Sequence, residues 1–110
     1  MKTHSPILTL SMTAAAALTM NRMVGLDGDV CWAGAKAAGM AQFDADAGEQ
    51  VGVAALGVIL VEAGAAITAG AEIESDDDGR AIAKTTGAGN GHALDAALAA
   101  GDVIRVLRGI

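Results

Sequence analysis

Two segments of this sequence contain residue types that bind ions. Asp76, Asp77 and Asp78 are consecutive carboxylates, but the alternating acids and closing Glu of an EF-hand are absent. The segment GAGNG at residues 87–91 is glycine-rich like a phosphate-binding loop, but no Lys-Ser/Thr pair follows it. We therefore interpret the acidic run as a hairpin tip and the glycine-rich segment as a flexible connection.

Acid–base and nucleophilic chemistry have few candidate residues. Asp44 and Asp46 are paired carboxylates beside a glycine, and no proton donor accompanies them, so we expect a solvated turn. Cys31 is the single cysteine, with His4 and His92 as its only possible histidine partners. A lone cysteine next to a tryptophan more often packs as a small apolar side chain than acts as a nucleophile. The sequence therefore predicts no catalytic residues, no metal site and no cofactor.

Trp32 and Phe43 are the only aromatic residues. Two aromatic side chains can form a stacking platform for a sugar or a base. They more often anchor a core, because each buries a large apolar area. We expect both to lie in the core.

Composition limits the remaining possibilities. A chain of 110 residues predicts one domain, and its apolar fraction of 53% consists largely of alanine, which predicts a thin core. A thin core favours self-association, which buries more surface per chain. The net charge is −6 and the seven basic residues are scattered, which argues against a nucleic-acid partner. No apolar run reaches membrane-spanning length, and the N-terminal 20 residues only weakly resemble a secretion signal.

A short phrase, Ala-Gly followed by an alternating apolar run, occurs three times. The copies are AGEQVGV at residues 47–53, AGDVIRV at 100–106 and the looser AGAEIE at 69–74. Glycine adopts positive φ without steric cost, and period-two alternation indicates a half-buried strand. We therefore expect three turns, each leading into a strand.

The rest of the chain has the same organisation. Short strands are predicted at residues 7–11, 21–26, 40–44, 50–55 and 58–62. A hairpin turn at Asp27 and Gly28 is expected to lead into a partner strand at residues 29–33, followed by a loop or turn at residues 34–39. Two further hairpins follow, one turning at residues 76–79 and one ending at 103–107. Alanine would favour a helix at residues 93–100, but we expect a strand followed by a tight turn. The predicted fold is a single all-β domain, a small barrel or sandwich with at most short helical turns. A polar N-terminal arm covers residues 1–6, and the domain covers residues 7–110.

The order of these segments resembles a family of small capsid cement proteins of tailed phages. The resemblance extends over residues 7–108 and is carried by NRMVGLDG (21–28), DAGEQVGV (46–53), VEAGAAITAG (61–70), DGRA (78–81), GHALDAA (91–97) and AGDVIRVL (100–107). It implies a β-tulip-like decoration protein that has no enzymatic activity. Such a protein is made in the bacterial host cytoplasm and sits on the outer surface of the phage head.

The resemblance also implies partners and a binding segment. The partners are the major capsid protein and further copies of the chain, in a homotrimer at three-fold positions. The residues expected to grip the capsid protein lie at the N-terminus and are Thr3, His4, Ser5, Pro6, Ile7 and Leu8.

Two other functions remain open at this point. One is a carrier or interaction module of the biotinyl or lipoyl type, which displays a modifiable lysine on a hairpin tip. The acidic tip at residues 76–79 has no lysine. The other is a secreted β-domain, which would require cleavage of the N-terminal segment near residue 20.

Overall fold

The computed structural model describes residues 4–109, and every regular element in that range is a strand. This confirms the predicted all-β fold, including the absence of a helix at residues 93–100. The strands are β1 (Ser5–Thr13), β2 (Met23–Gly25), β3 (Ala37–Ala41), β4 (Gln50–Glu62), β5 (Ile73–Ser75), β6 (Ala81–Ala83), β7 (His92–Ala93) and β8 (Val103–Arg108). No helix in this range is long and apolar enough to cross a membrane.

The long strand β4 organises a curled antiparallel sheet in the order β2-β3-β4-β8-β7. β1 pairs along one edge of β4. On the other edge, β3 pairs with Val53 and Ala54 of β4, and β8 pairs with residues 57–62. The sequence predicted two strands separated by Gly57. The structure has one strand, in which Gly57 takes a φ of 108° and lies within an irregular part of the β1 pairing.

The predicted hairpins at residues 76–79 and before 103–107 are present as β5-β6 and β7-β8. The turn at Asp27 and Gly28 is also present, but residues 29–33 form only one bridge, Val24 to Val30. β2 instead pairs with β3, which begins at Ala37 inside a predicted loop. The other N–H groups of β2 have partners elsewhere: Met23 donates to the Gly79 carbonyl at 2.7 Å, and Gly25 donates to the Asp29 carbonyl at 2.8 Å.

Small and branched aliphatic side chains fill the core. Its largest fully buried members are Met23, Met40, Ile59, Ile73 and Ile104. The prediction that the aromatic residues anchor the core is wrong, since Trp32 is 67% exposed and Phe43 is 66% exposed. The Ala- and Gly-rich strands approach closely enough to exclude bulky rings: a Cβ at Gly39 would lie 2.2 Å from the Ala54 carbonyl oxygen.

The recurring Ala-Gly phrase forms three equivalent turns, with Gly48, Gly70 and Gly101 at φ values of 89°, 88° and 95°. A fourth turn contains Asn21 at φ 66°, the one non-glycine residue with positive φ between residues 4 and 109. Asparagine is enriched in this region because its short polar side chain hydrogen-bonds locally. The turns associate in pairs through the bridges Leu18–Ala45 and Ile67–Ala97, so each half of the chain contributes one pair.

Candidate interaction surface

The acidic run at residues 76–78 lies at the predicted hairpin tip, where the Asp76 carboxylate binds groups of the turn itself. Asp76 Oδ1 accepts hydrogen bonds from the backbone N–H groups of Asp78 (2.9 Å) and Arg80 (2.8 Å). The Arg80 guanidinium contacts Asp76 Oδ2 at 3.3 Å. Residues 4–109 contain no group of three or more side chains that could hold a metal ion.

The glycine-rich segment is anchored, which corrects the expectation of a flexible connection. Glu74 is buried, and its Oε1 accepts hydrogen bonds from the Thr85 N–H, the Thr85 hydroxyl (3.0 Å) and the Gly87 N–H (3.4 Å). These donors, the Thr85 N–H above all, lower the pKa of Glu74. Within the glycine-rich segment, the Gly87 N–H thus faces a carboxylate of the protein itself, and the N–H groups of Ala88 and Asn90 donate to the Gly34 and Ile73 carbonyls.

At the end of this loop, Asn90 is 1% exposed and connects it to the segment before β3. Its Oδ1 accepts from the Ala37 N–H at 2.9 Å, and its Nδ2 donates to the Ala35 carbonyl at 3.0 Å. Both partners are more than 50 residues away in sequence. The loop is therefore a buried joint of the fold.

Cys31 is 1% exposed, as predicted for a packed thiol. Its Sγ donates to the Ala35 carbonyl at 3.4 Å, and burial raises the pKa of the thiol. The other groups that shift this pKa are Ser75, Arg108 and Asp27, none of which is a histidine. The neutral thiol is a poor nucleophile, so Cys31 is a core side chain.

The most unusual surface feature is β1. All but one of its residues are exposed, and its apolar side chains include Ile7 at 84%, Leu8 at 42% and Leu10 at 38% exposure. The chain has no Asp, Glu, Lys or Arg from Thr3 to Asn21. Natural edge strands are usually short or charged, because an uncharged edge pairs with other chains. A strand of 9 residues with this composition is an exposed edge without the charges that usually protect one.

The start of β1 is held by specific contacts. The Leu60 N–H donates to His4 Nδ1 at 3.2 Å, and His4 Nε2 lies 3.3 Å from Gln42 Nε2. His4 lines a groove with the exposed side chains of Met20 and Phe43. The backbone of Ser5–Ile7 passes directly over Gly57, where a Cβ would lie 2.6 Å from the Ser5 carbonyl oxygen.

These contacts bring together most of the predicted binding residues. Ser5, Pro6, Ile7 and Leu8 lie in β1 and His4 directly precedes it, whereas Thr3 lies outside the described residues. The predicted arm thus includes the first two residues of a strand that pairs with β4. Sequence reasoning missed Phe43, Met20 and Leu56, which is 38% exposed opposite Leu8. The long uncharged run at the N-terminus was the available signal for this surface.

The model of one protein family, described as phage cement protein, matches residues 1–108. The chain belongs to this family. It is accordingly a capsid-associated structural protein of a bacteriophage. The β-rich fold and the exposed edge strand agree with that membership.

Among solved structures, the chain is similar to the head fiber gp8.5 N base of bacteriophage phi29. The TM-score is 0.73 at 21% identity, and the alignment covers 91% of this chain and 92% of that one. At this identity the similarity shows a shared fold. No curated protein matches the sequence.

Proposed function

We propose that this protein is a non-enzymatic decoration protein that binds the outer surface of the phage head through the major capsid protein and stabilises the shell. We further propose that it is made in the host cytoplasm and acts as a homotrimer at three-fold positions. The observation that carries the proposal is the exposed, uncharged edge of β1 in a member of the cement family. A cement protein needs adhesive surface, and the exposed apolar side chains of β1 support this assignment.

The binding segment in this proposal is residues 3–8, continued by the rest of β1. The outer edge of β1 offers backbone N–H and C=O groups that an extended segment of the capsid protein can pair with. Ile7 and Leu8 provide apolar area, and complete burial of such a side chain contributes about 1.5–3 kcal/mol. The binding free energy that one copy gains from this contact is modest. A trimer multiplies it, because the second and third contacts become intramolecular.

The charge distribution supports the same assignment. The chain has a net charge of −6, yet no charged residue occurs between Thr3 and Asn21. An acidic outer surface keeps a densely decorated particle soluble. An uncharged contact strand avoids repulsion where the protein meets the shell.

The test is binding to undecorated, expanded heads, followed by the melting temperature of the heads. The wild-type protein should bind and raise that temperature. Ile7→Asp should weaken binding about tenfold or more, since it places a charge in an apolar contact. Thr68→Asp, an exposed turn position, is the matched control and should bind like the wild type.

Gly57→Ala tests the same surface without altering a contact residue. Its Cβ would push the Ser5–Ile7 backbone away from β4, so hydrogen exchange at the start of β1 should accelerate and head binding should fall. A wild-type protein that does not bind heads refutes the function. If Ile7→Asp binds as tightly as Thr68→Asp, the function stands and the assignment to β1 is wrong.

A further inference from the structure

The chain has two asparagines, Asn21 and Asn90, and only Asn90 precedes a glycine. In an Asn-Gly pair, the backbone nitrogen of the glycine can attack the carboxamide carbon of the asparagine, because glycine has no side chain to hinder the approach. A bond forms between that nitrogen and Cγ, the Cγ–Nδ2 bond breaks, and ammonia leaves with the proton of the glycine N–H. Water then opens the cyclic imide at either carbonyl and gives aspartate or isoaspartate. The Asn90–Gly91 pair is therefore the most reactive asparagine site in this sequence.

The fold requires both members of this pair. Asn90 is 1% exposed, and its carboxamide accepts from the Ala37 N–H at 2.9 Å and donates to the Ala35 carbonyl at 3.0 Å. Asparagine supplies this acceptor and this donor on one short side chain. Gly91 has a φ of 128°, and a Cβ there would lie 2.6 Å from Val106 Cγ1. A less reactive pair of residues does not fit these contacts.

The same contacts keep the pair unreactive while the chain is folded. The Asn90 N–H donates to the Ile73 carbonyl at 2.8 Å, and the Ile73 N–H donates to the Gly91 carbonyl at 2.9 Å. Ile73 thus holds the backbone on both sides of the peptide bond between Asn90 and Gly91. The carboxamide is fixed by its own hydrogen bonds and is shielded from the water that ring opening consumes. Ring closure therefore requires that this part of the chain opens first.

Conversion of Asn90 to aspartate replaces the Nδ2 donor by an acceptor. The new carboxylate oxygen would face the Ala35 carbonyl oxygen with no hydrogen between them, at the 3.0 Å that now separates donor and acceptor. A buried charge without a matching donor destabilises the folded state. Isoaspartate adds a methylene group to the main chain instead, which would displace the backbone from its two hydrogen bonds with Ile73.

The charged and titratable side chains that line the groove beside Asn90 are Lys36, Glu72, His92 and Arg108. Both cations in this set already have acceptors. The Arg108 guanidinium donates to the Ala37 carbonyl at 2.9 Å, and the Lys36 ammonium donates to the Gly89 carbonyl at 2.6 Å. A carboxylate at position 90 would have to compete with these hydrogen bonds, and the Glu72 carboxylate would repel it.

We propose that Asn90–Gly91 is a deamidation site that the fold protects and that unfolding activates. While the chain stays unfolded, the amide converts to a carboxylate, and the converted chain refolds poorly because its buried joint is lost. Unfolding thus becomes permanent through a change in covalent structure. This chemistry is a property of the chain itself and does not depend on the proposed function.

The first test compares the two asparagines by mass spectrometry after incubation in mildly alkaline buffer, with and without guanidinium chloride. Trypsin places Asn21 in the peptide of residues 3–22 and Asn90 in the peptide of residues 85–105. In denaturant, the 85–105 peptide should gain the mass of the acid. The 3–22 peptide should stay largely unchanged, because the Arg22 side chain hinders attack after Asn21.

In native buffer, conversion at Asn90 should be slower by about a hundredfold or more, because the reaction waits for an opening of the fold. Equal rates at Asn90 in the two buffers would show that the fold does not protect the site. Equal rates at Asn90 and Asn21 in denaturant would show that the glycine does not activate it. Either result overturns the proposal.

The second test is the refolding yield after increasing times in denaturant, measured by far-UV circular dichroism. The wild-type yield should fall in step with conversion of the 85–105 peptide. Asn90→Ala has no carboxamide at this position, so its yield should not change with time. A wild-type yield that stays constant while the peptide converts would overturn the proposed loss of refolding. Equal decreases in both proteins would assign the loss to another process, such as aggregation, and would also overturn it.

Asn90→Asp provides the converted side chain directly. Its urea midpoint at about pH 7 should lie below that of the wild type, and the difference should shrink towards about pH 4, where a protonated carboxyl again offers a donor to the Ala35 carbonyl. The carboxylates that both proteins share contribute equally and cancel in this difference. Equal midpoints at neutral pH would show that a carboxylate is tolerated at position 90, and unfolding would then not be made permanent in this way.

Discussion

Replacement of Gly70 by alanine isolates the energetic contribution of the repeated turn. Gly70 has a φ of 88°, and a Cβ at this position meets no atom within 4 Å. The substitution therefore changes backbone energy and leaves packing unchanged. The Gly70 N–H donates to the Ala93 carbonyl at 2.7 Å, and alanine retains this donor.

The expected decrease in the free energy of unfolding is the strain of alanine in the folded protein minus its effect on the unfolded chain. An L-residue in the left-handed region costs about 1–2 kcal/mol, whereas alanine restricts the unfolded chain and returns about 0.4–1 kcal/mol. The free energy of unfolding should therefore fall by about 1 kcal/mol. For a domain near 100 residues, this corresponds to a decrease in Tm of roughly 4–8 °C.

The fourth turn supplies the matched control, because Asn21 occupies the equivalent position. Gly70→Asn should lose less than half of what Gly70→Ala loses, since asparagine tolerates positive φ. Far-UV circular dichroism at fixed protein concentration measures both, as Trp32 is too exposed to be a good fluorescence probe. If alanine leaves Tm unchanged, or asparagine is as destabilising as alanine, positive φ does not explain these glycines.

Two further predictions concern the anchored loop. Asn90→Ala should reduce the free energy of unfolding by about 1–3 kcal/mol in urea titrations, because it leaves the buried Ala37 N–H without its partner and removes one of the two donors to the Ala35 carbonyl. An unchanged urea midpoint would contradict the role of Asn90 as a joint. The pKa of Glu74 is lower in the folded protein, so its stabilisation is present above the pKa of an unfolded glutamate and is lost as the pH falls through the folded value. The free energy of unfolding of Glu74→Gln should therefore fall less between pH 7 and about pH 3 than that of the wild type. Urea titrations at both pH values measure this difference. Equal losses would exclude this carboxylate as a source of the acid sensitivity.

The local turns are the part of this protein that the sequence predicts well. The phrase at residues 47–53, 69–74 and 100–106 identified three turns that lead into strands, and the acids at 76–78 identified a hairpin tip. These predictions succeed because positive φ is a property of single residues. The fourth turn escaped detection because Asn21 replaces the glycine and its sequence no longer matches the phrase.

Burial, in contrast, was decided by tertiary structure. Local pattern placed Trp32 and Phe43 in the core, yet both are exposed. It also described residues 87–91 as flexible, whereas Glu74 and Asn90 hold them through partners distant in sequence. An apolar residue is buried only if another segment covers it, and the sequence around it does not show which segment does. The sequence alone therefore determined that the chain is an all-β domain built from glycine turns. Only the assembled sheet decided that β1, the aromatic residues and Leu98 remain uncovered by this chain, since coverage depends on how distant strands pack together.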